Sequence, residues 1–419
     1  MTTPSEGHRN LPEILTAIFS IRMMIAFIMG FSSGLPLLLT GSVLQAWMTE
    51  EGVDLSTIGV FALVGLPYTL KFLWAPALDR YTLPFLGRRR GWLLVAQVAL
   101  IAAIAGLGLS QPAINLSGVA LAALLVSFFS ATQDIVIDAY RREALADDEQ
   151  GLGASLYVNG YRVGMLLASG GGLILADIIA FSQVYLFLAA CMAVGLVTTL
   201  FAPEPPTPDG QPKTLAAAVF QPFSEFFRRR DAVLILLFIL LYKVGDTMAS
   251  HMTTPFYLDI GFTKTEIGTV VKLFGFWATI VGGLLGGILI LRFGIYRTLW
   301  AFGILQAVST AGFALLAQLG PTTIGLAGVI AFENLSGGMG TAAFIAFMAS
   351  QTDTRFTATQ YALLSSLMGI PRVLVAAPTG LIAGQLGWEI FFLGCALIAI
   401  PGLLLLRRFK GWLETNARY

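Results

Sequence analysis

The sequence predicts an all-α membrane protein of twelve transmembrane helices in two similar six-helix halves. Three observations carry this expectation. Of 419 residues, 56% are hydrophobic and only 12% charged, about half the charged share of a soluble domain, roughly 25%. Apolar stretches of spanning length, about 20 residues, recur along the whole chain. Segments of the first half return in the second at a nearly constant spacing.

Composition also excludes several classes. A soluble chain this apolar would expose patches it could not keep from associating. A net charge of +1 predicts no nucleic-acid partner. Two histidines, no His-Glu-x-x-His run and no glycine-rich phosphate loop leave no expected metal or cofactor. Cys191 and Cys395 sit in apolar runs and predict neither a disulfide nor a zinc site. Arg22 interrupts the first apolar stretch and no small-residue cleavage site follows it, so that segment is expected to be retained.

Taken in order, the expected spans lie near 23–48, 56–78, 92–110, 116–140, 151–176, 180–201, 232–258, 264–290, 298–318, 322–350, 358–384 and 387–406. Pro36, Pro67 and Pro371 are expected kink points. The Pro- and charge-rich stretch 202–231 is the one substantial linker. The expected units are therefore 1–201, 202–231 and 232–419. Of the 25 Lys and Arg residues, Lys71, Arg162, Lys243, Lys272 and Arg372 lie within spans. Of the others, only Lys264 falls on the opposite side from the rest when loops alternate. The positive-inside rule then puts both termini and the linker in the cytoplasm. Trp74, Trp92 and Trp388 lie near span ends, as interfacial anchors do.

The repeat is specific. Gly52-Val-Asp-Leu-Ser-Thr-Ile-Gly59 returns as Gly261-Phe-Thr-Lys-Thr-Glu-Ile-Gly268, 209 residues later, and Ser155…Arg162-Val returns as Ser365…Arg372-Val at an offset of 210. Parallel repeats of this kind occur in transporters that bind solute near the midplane between two halves.

Ionisable groups inside a bilayer are costly, so they are paired or functional. Asp134 and Asp138 in span 4 share one helix face. With Gln133 beside them, they are expected at the substrate or in proton handling, with Lys71 as a possible counter-ion; a structural salt bridge is the competing reading. Arg162 and Arg372 occupy matching positions and suit an anionic solute, because guanidinium forks onto carboxylates. Lys243 and Asp246 face either a cavity or each other. Glu333 is the remaining deep carboxylate. The expected substrate contacts are thus Gln133, Asp134, Arg162, Lys243 and Arg372, and the expected proton-coupling groups Asp134, Asp138, Asp246 and Glu333. Tyr68, Tyr161 and Trp277 are aromatic groups within spans. An intramembrane enzyme using Asp134 and Asp138 is disfavoured because no second paired-aspartate motif exists on any span.

The loop Asp79-Arg80…Gly87-Arg88-Arg89-Arg90 resembles the loop 2–3 signature of the major facilitator superfamily, with about five extra residues between its parts. Gly30-Phe-Ser-Ser-Gly-Leu-Pro36, Lys71-Phe-Leu-Trp-Ala-Pro76, Gln133-Asp-Ile-Val-Ile-Asp-Ala139 and Gly160-Tyr-Arg-Val-Gly-Met165 look like the AmpG-type muropeptide permeases within it. Acetyl-CoA transporters share parts of these runs, and a drug exporter of the same fold is a further alternative. The resemblance implies the major facilitator fold and proton-driven import of anhydromuropeptides for cell-wall recycling, with effects on β-lactamase induction. It also implies an acidic latch on the cytoplasmic side at Asp79, with Arg141 or Arg142 as its cation. The same resemblance makes Tyr68, Tyr161 and Trp277 candidate platforms for sugar rings. The expected gate comprises Lys71, Asp79, Arg80, Arg88, Arg89 and Arg141. The expected partners are an anionic glycopeptide, protons and the lipid bilayer, and the expected working unit is a monomer.

Overall fold

The computed structural model describes residues 16–207, 214–229, 231–263, 266–374 and 378–416. Every regular element among them is helical. In the first half, α1 (Ile21–Gly34) is followed by α2 (Ser42–Glu50). Pro36 lies in the break between them, where a proline ends the helix by lacking an amide donor. Residues 55–73 form a run of short helical turns with Pro67 at the start of one. Then follow α3 (Ala75–Arg80), α4 (Arg88–Gly108), α5 (Leu116–Ala144), α6 (Gln150–Leu166, prolonged to Ala176 through a wider turn), α7 (Phe181–Cys191) and α8 (Ala193–Phe201). Beyond the linker helix α9 (Leu215–Arg228) come α10 (Ala232–Leu241), α11 (Val244–Asp259), α12 (Gly275–Leu319), α13 (Thr323–Ser350), α14 (Thr357–Leu374), α15 (Thr379–Leu386) and α16 (Trp388–Asn416).

Seven helical stretches among the described residues are long and apolar enough to cross a bilayer, and one, Ile267–Leu319, runs to 53 residues. It contains α12, which turns at Gly294 (φ 77°), so one stretch carries two of the expected spans. The other expected spans are built from shorter pieces. The repeat is visible in the backbone: Gly52 (φ 75°) and Gly261 (φ 102°) occupy equivalent loops, and Gly87 (φ 85°) precedes α4 as Gly294 divides α12. Positive φ is accessible to glycine without a Cβ penalty.

Without a hydrophobic drive between helices in lipid, small residues let backbones approach. A Cβ on Gly34 would lie 2.0 Å from the Tyr161 carbonyl oxygen, and one on Gly160 1.9 Å from that of Phe27. The two runs singled out in the sequence are thus the two faces of one α1–α6 contact. Gly160→Leu is expected to lower the thermal unfolding midpoint in detergent sharply, its cost reaching or exceeding the upper end of about 1–3 kcal/mol for overpacking. Gly106→Leu, with nothing within 4 Å of its Cβ, serves as the control; equal midpoints for the two variants would refute the contact's role.

The linker helix α9 buries Ala218, Pro222 and Phe226 and leaves Phe220 and Phe227 exposed. It is tied to the loop before α14: Gln360 Nε2 donates to the Pro222 carbonyl at 3.1 Å and Arg229 Nη1 to that of Gln351 at 2.5 Å. In that loop burial pushes the Asp353 carboxyl up, but its bonds to Arg355 outweigh burial and hold it below the usual carboxylate range. This contact stabilises the fold above the ordinary carboxylate pKa and is lost as pH falls through the lowered one.

Candidate functional site

The arginine-rich end of the molecule is closed by a buried charge cluster. Asp79, at the end of α3, is 1% exposed. A carboxylate there opposes its own helix dipole and seeks another helix's N-terminus. It accepts from the backbone amides of Ala358 (3.2 Å) and Thr359 (2.8 Å) in the first turn of α14, and from the Thr359 hydroxyl (2.7 Å). Its cation is Arg89, at 2.8 Å, and not Arg141 or Arg142 as expected from the sequence. The correction has a structural cause: the extended 81–87 loop doubles back at Gly87 and starts α4 beneath α3. Arg89 is fully buried and also bonds Glu143 (2.6 Å), which Arg88 meets at 2.8 Å. Glu204 caps α4 by accepting from the Arg89 and Arg90 amides. Arg80 stays out of the cluster and lies over the Tyr81 ring.

Arg141 and Arg142 bridge the halves in their own way. Arg141 donates to the Tyr361 hydroxyl (3.2 Å) and Arg142 to the Ala349 carbonyl (2.9 Å). Deeper in, Ser155 donates to the Gly283 carbonyl (2.5 Å) and Arg162 to that of Thr279 (3.1 Å). These side-chain bonds between the halves run from the arginine-rich end inward. The molecule is therefore sealed at the arginine-rich end.

Within the first half, Asp134 accepts from Ser33, whose hydroxyl is also 3.2 Å from that of Tyr157. Asp138, one turn on, is 3.6 Å from Arg141. Lys71 is buried and acts electrostatically on both carboxylates without a direct ion pair among the described residues. Gln133 is fully buried and donates to the Ser32 carbonyl at 3.0 Å, tying α5 to α1.

A second cluster lies nearer the midplane. Lys243 and Asp246 pair at 3.1 Å, resolving the two readings of the sequence in favour of each other. The Glu333 carboxyl interacts electrostatically with Asp246 and accepts from Ser309 at 2.6 Å. Arg162 reaches this group electrostatically from the other half. The Asp246 side chain is 29% exposed, and so polar a group is not tolerated against lipid. Trp277 instead shares an exposed apolar stripe with Phe274, Val281 and Leu285, the pattern of a lipid-facing helix side. The Arg372 side chain lies outside the described residues.

Sequence reasoning missed Glu143 and the Ser33–Tyr157 pair. Glu143 had a signal, an acidic residue at a helix end beside an arginine-rich loop. The Ser33–Tyr157 contact needed the α1–α6 approach and had none.

Two bundles of spanning helices, joined by glycine-faced seams and sealed at one end by buried ion pairs, define a polytopic membrane transporter. The chain belongs to the Major Facilitator Superfamily, whose family model matches residues 23–376. It is 47% identical over 395 residues to the anhydromuropeptide permease of Escherichia coli (strain K12), covering 94% of this chain and 80% of that one. An uncharacterized protein of Haemophilus influenzae is 44% identical over 406 residues, covering 94% and 96%. The human organic anion transporter MFSD10 (TETRAN) shares the fold, with a TM-score of 0.68 at 16% identity over 96% of this chain and 100% of that one. The chain is a transporter and not an enzyme.

Proposed function

We propose that this protein imports anhydromuropeptides from periplasm to cytoplasm by proton symport, as a monomer in a bacterial inner membrane with both termini cytoplasmic. The observation that carries the substrate is the 47% identity to the Escherichia coli permease across 94% of the chain. The orientation rests on the arginine-rich loops, which make the sealed end cytoplasmic and the structure outward-facing. Residues 1–201 and 232–419 rock about the α6–α12 seam, with 202–231 as the strap between them.

The Lys243, Asp246, Glu333 and Arg162 cluster is the coupling and binding centre. Two interacting carboxyls hold a proton between them, because neighbouring like charges do not both ionise readily. Solute carboxylates would compete with Asp246 for Lys243 and Arg162, releasing that arrangement. Asp134 and Asp138 serve the solute's amine or a second protonation step, and Arg372 completes the cationic side. Gln133, already engaged by α1, positions Asp134 rather than touching solute.

Uptake of labelled anhydromuropeptide into membrane vesicles, with and without an uncoupler, tests the reading. Accumulation that the uncoupler leaves intact would remove proton coupling, and absence of uptake would remove the substrate. Arg162→Ala is expected to weaken solute binding about 10–100-fold, the worth of a charged hydrogen bond of about 1.5–3 kcal/mol. Unchanged affinity would make Arg162 a purely structural strut to Thr279.

A further inference from the structure

A cavity of about 130 Å³ opens at the sealed end, between the first half and the start of the linker at Pro203 to Pro206. Its walls are mostly apolar, from Ile25, Met29, Ile137, Ala144 and Leu145. Among its polar lining groups, Tyr140 donates to the Pro203 carbonyl (2.8 Å), the Tyr157 hydroxyl meets Ser33, and Glu204 is held by the Arg89 and Arg90 amides. Arg141 is different. It is 2% exposed, and only its Nη2 is bonded, to Tyr361; Nε and Nη1 have no partner. Asp138 sits at 3.6 Å, too long for a hydrogen bond.

A buried donor left unmatched costs about 1–3 kcal/mol, more when charged. A ligand that satisfies it from an apolar chamber recovers that cost. We propose that this chamber is a second binding site, for a small organic monocarboxylate supplied from the cytoplasm. The carboxylate would meet the free edge of Arg141 and its short apolar body would fill the Ile25–Met29–Ile137 wall. A monoanion is the most this chamber takes: Asp138 partly offsets Arg141 from 3.6 Å, Arg22 at the rim is paired with Glu149 at 3.6 Å, and Glu204 also lines the wall. A dianion such as phosphate would bury uncompensated charge. The volume is far below that of a glycopeptide, so the transported solute is not the occupant. Because Arg141 also bonds Tyr361 of the other half, a ligand here binds best while that end is closed. It therefore holds the carrier outward-facing.

The test uses the full-length protein in nanodiscs of neutral lipid, with butyrate as probe. Saturable binding by calorimetry and a raised unfolding midpoint are expected, with no such effect from 1-butanol. Ala144→Phe, which fills the chamber and leaves Arg141 in place, should weaken butyrate binding at least tenfold; Ile137→Phe is the second filling variant should the first not fold. The proposal fails if butyrate does not saturate, if butanol matches it, or if a folded filling variant still binds. It also fails if anionic lipid in the disc abolishes butyrate binding, which would assign the chamber to a headgroup. None of these readouts involves muropeptide uptake, so they stand or fall apart from the transport reading.

Discussion

Replacing Glu333 with glutamine is expected to abolish uphill accumulation of solute while leaving exchange of solute across the membrane intact. The side chain keeps its shape and its Ser309 neighbour, but it can no longer take up and release a proton against Asp246. Losing one coupled charge removes about 2.3 kcal/mol of driving force per 100 mV of membrane potential. That corresponds to a fall of about 50-fold in the accumulation ratio for each 100 mV. The measurement is steady-state uptake in energised vesicles beside counterflow in de-energised ones. A Glu333→Gln protein that still concentrates solute like the wild type would move coupling elsewhere, with Asp134 and Asp138 next in line. Asp246→Asn should be worse behaved, because it also leaves Lys243 without its partner at 3.1 Å.

The second large effect is at the other end. Asp79→Ala deletes three hydrogen bonds that cross from α3 to α14 and leaves Glu143 as the carboxylate still paired with Arg89. Removing one member of a buried ion pair costs about 3–5 kcal/mol. Only part of that distinguishes the two conformations. Even 2–3 kcal/mol shifts the ratio of cytoplasm-closed to cytoplasm-open molecules about 30–100-fold toward open. Spin labels at the exposed positions Ala146 and Thr354 report it directly. The inter-label distance should lengthen in Asp79→Ala; an unchanged distribution would show that Arg142 and Ser155 suffice to keep this end shut.

Much of this was legible in the sequence, for definite reasons. The bilayer forces length and apolarity on every span, so the all-helical membrane fold followed from composition. Glycines at an offset of 209 marked the repeated turns at Gly52 and Gly261. The Lys243–Asp246 spacing of three put their pairing among the readings, beside a cavity-facing one that only the structure set aside. What the sequence could not supply was partnership across long separations. Asp79 was expected to act at a gate, but its cation depends on how seven loop residues double back. Glu333 and Asp246 are 87 positions apart, and nothing local brings them together. Trp277 looked like a sugar platform because aromatic type is visible in a sequence and facing direction is not.

The seam between α6 and α12 has a mechanical meaning. Gly282 and Gly286 lie against α13, while Gly283 and Gly287 lie against Asn159 and Ser155 of α6. The first arm of α12 is thus nearly featureless on two adjoining sides, about 100° apart around the helix, with carbonyl oxygens as the chief acceptors along it. A surface without protruding knobs works as a fulcrum: the two arms can tilt over it without unlocking interdigitated side chains. Friction in the stroke is then concentrated at the Asp79 catch. Turnover would respond to changes at that distant catch far more than to the bulk of the side chains lining the pivot.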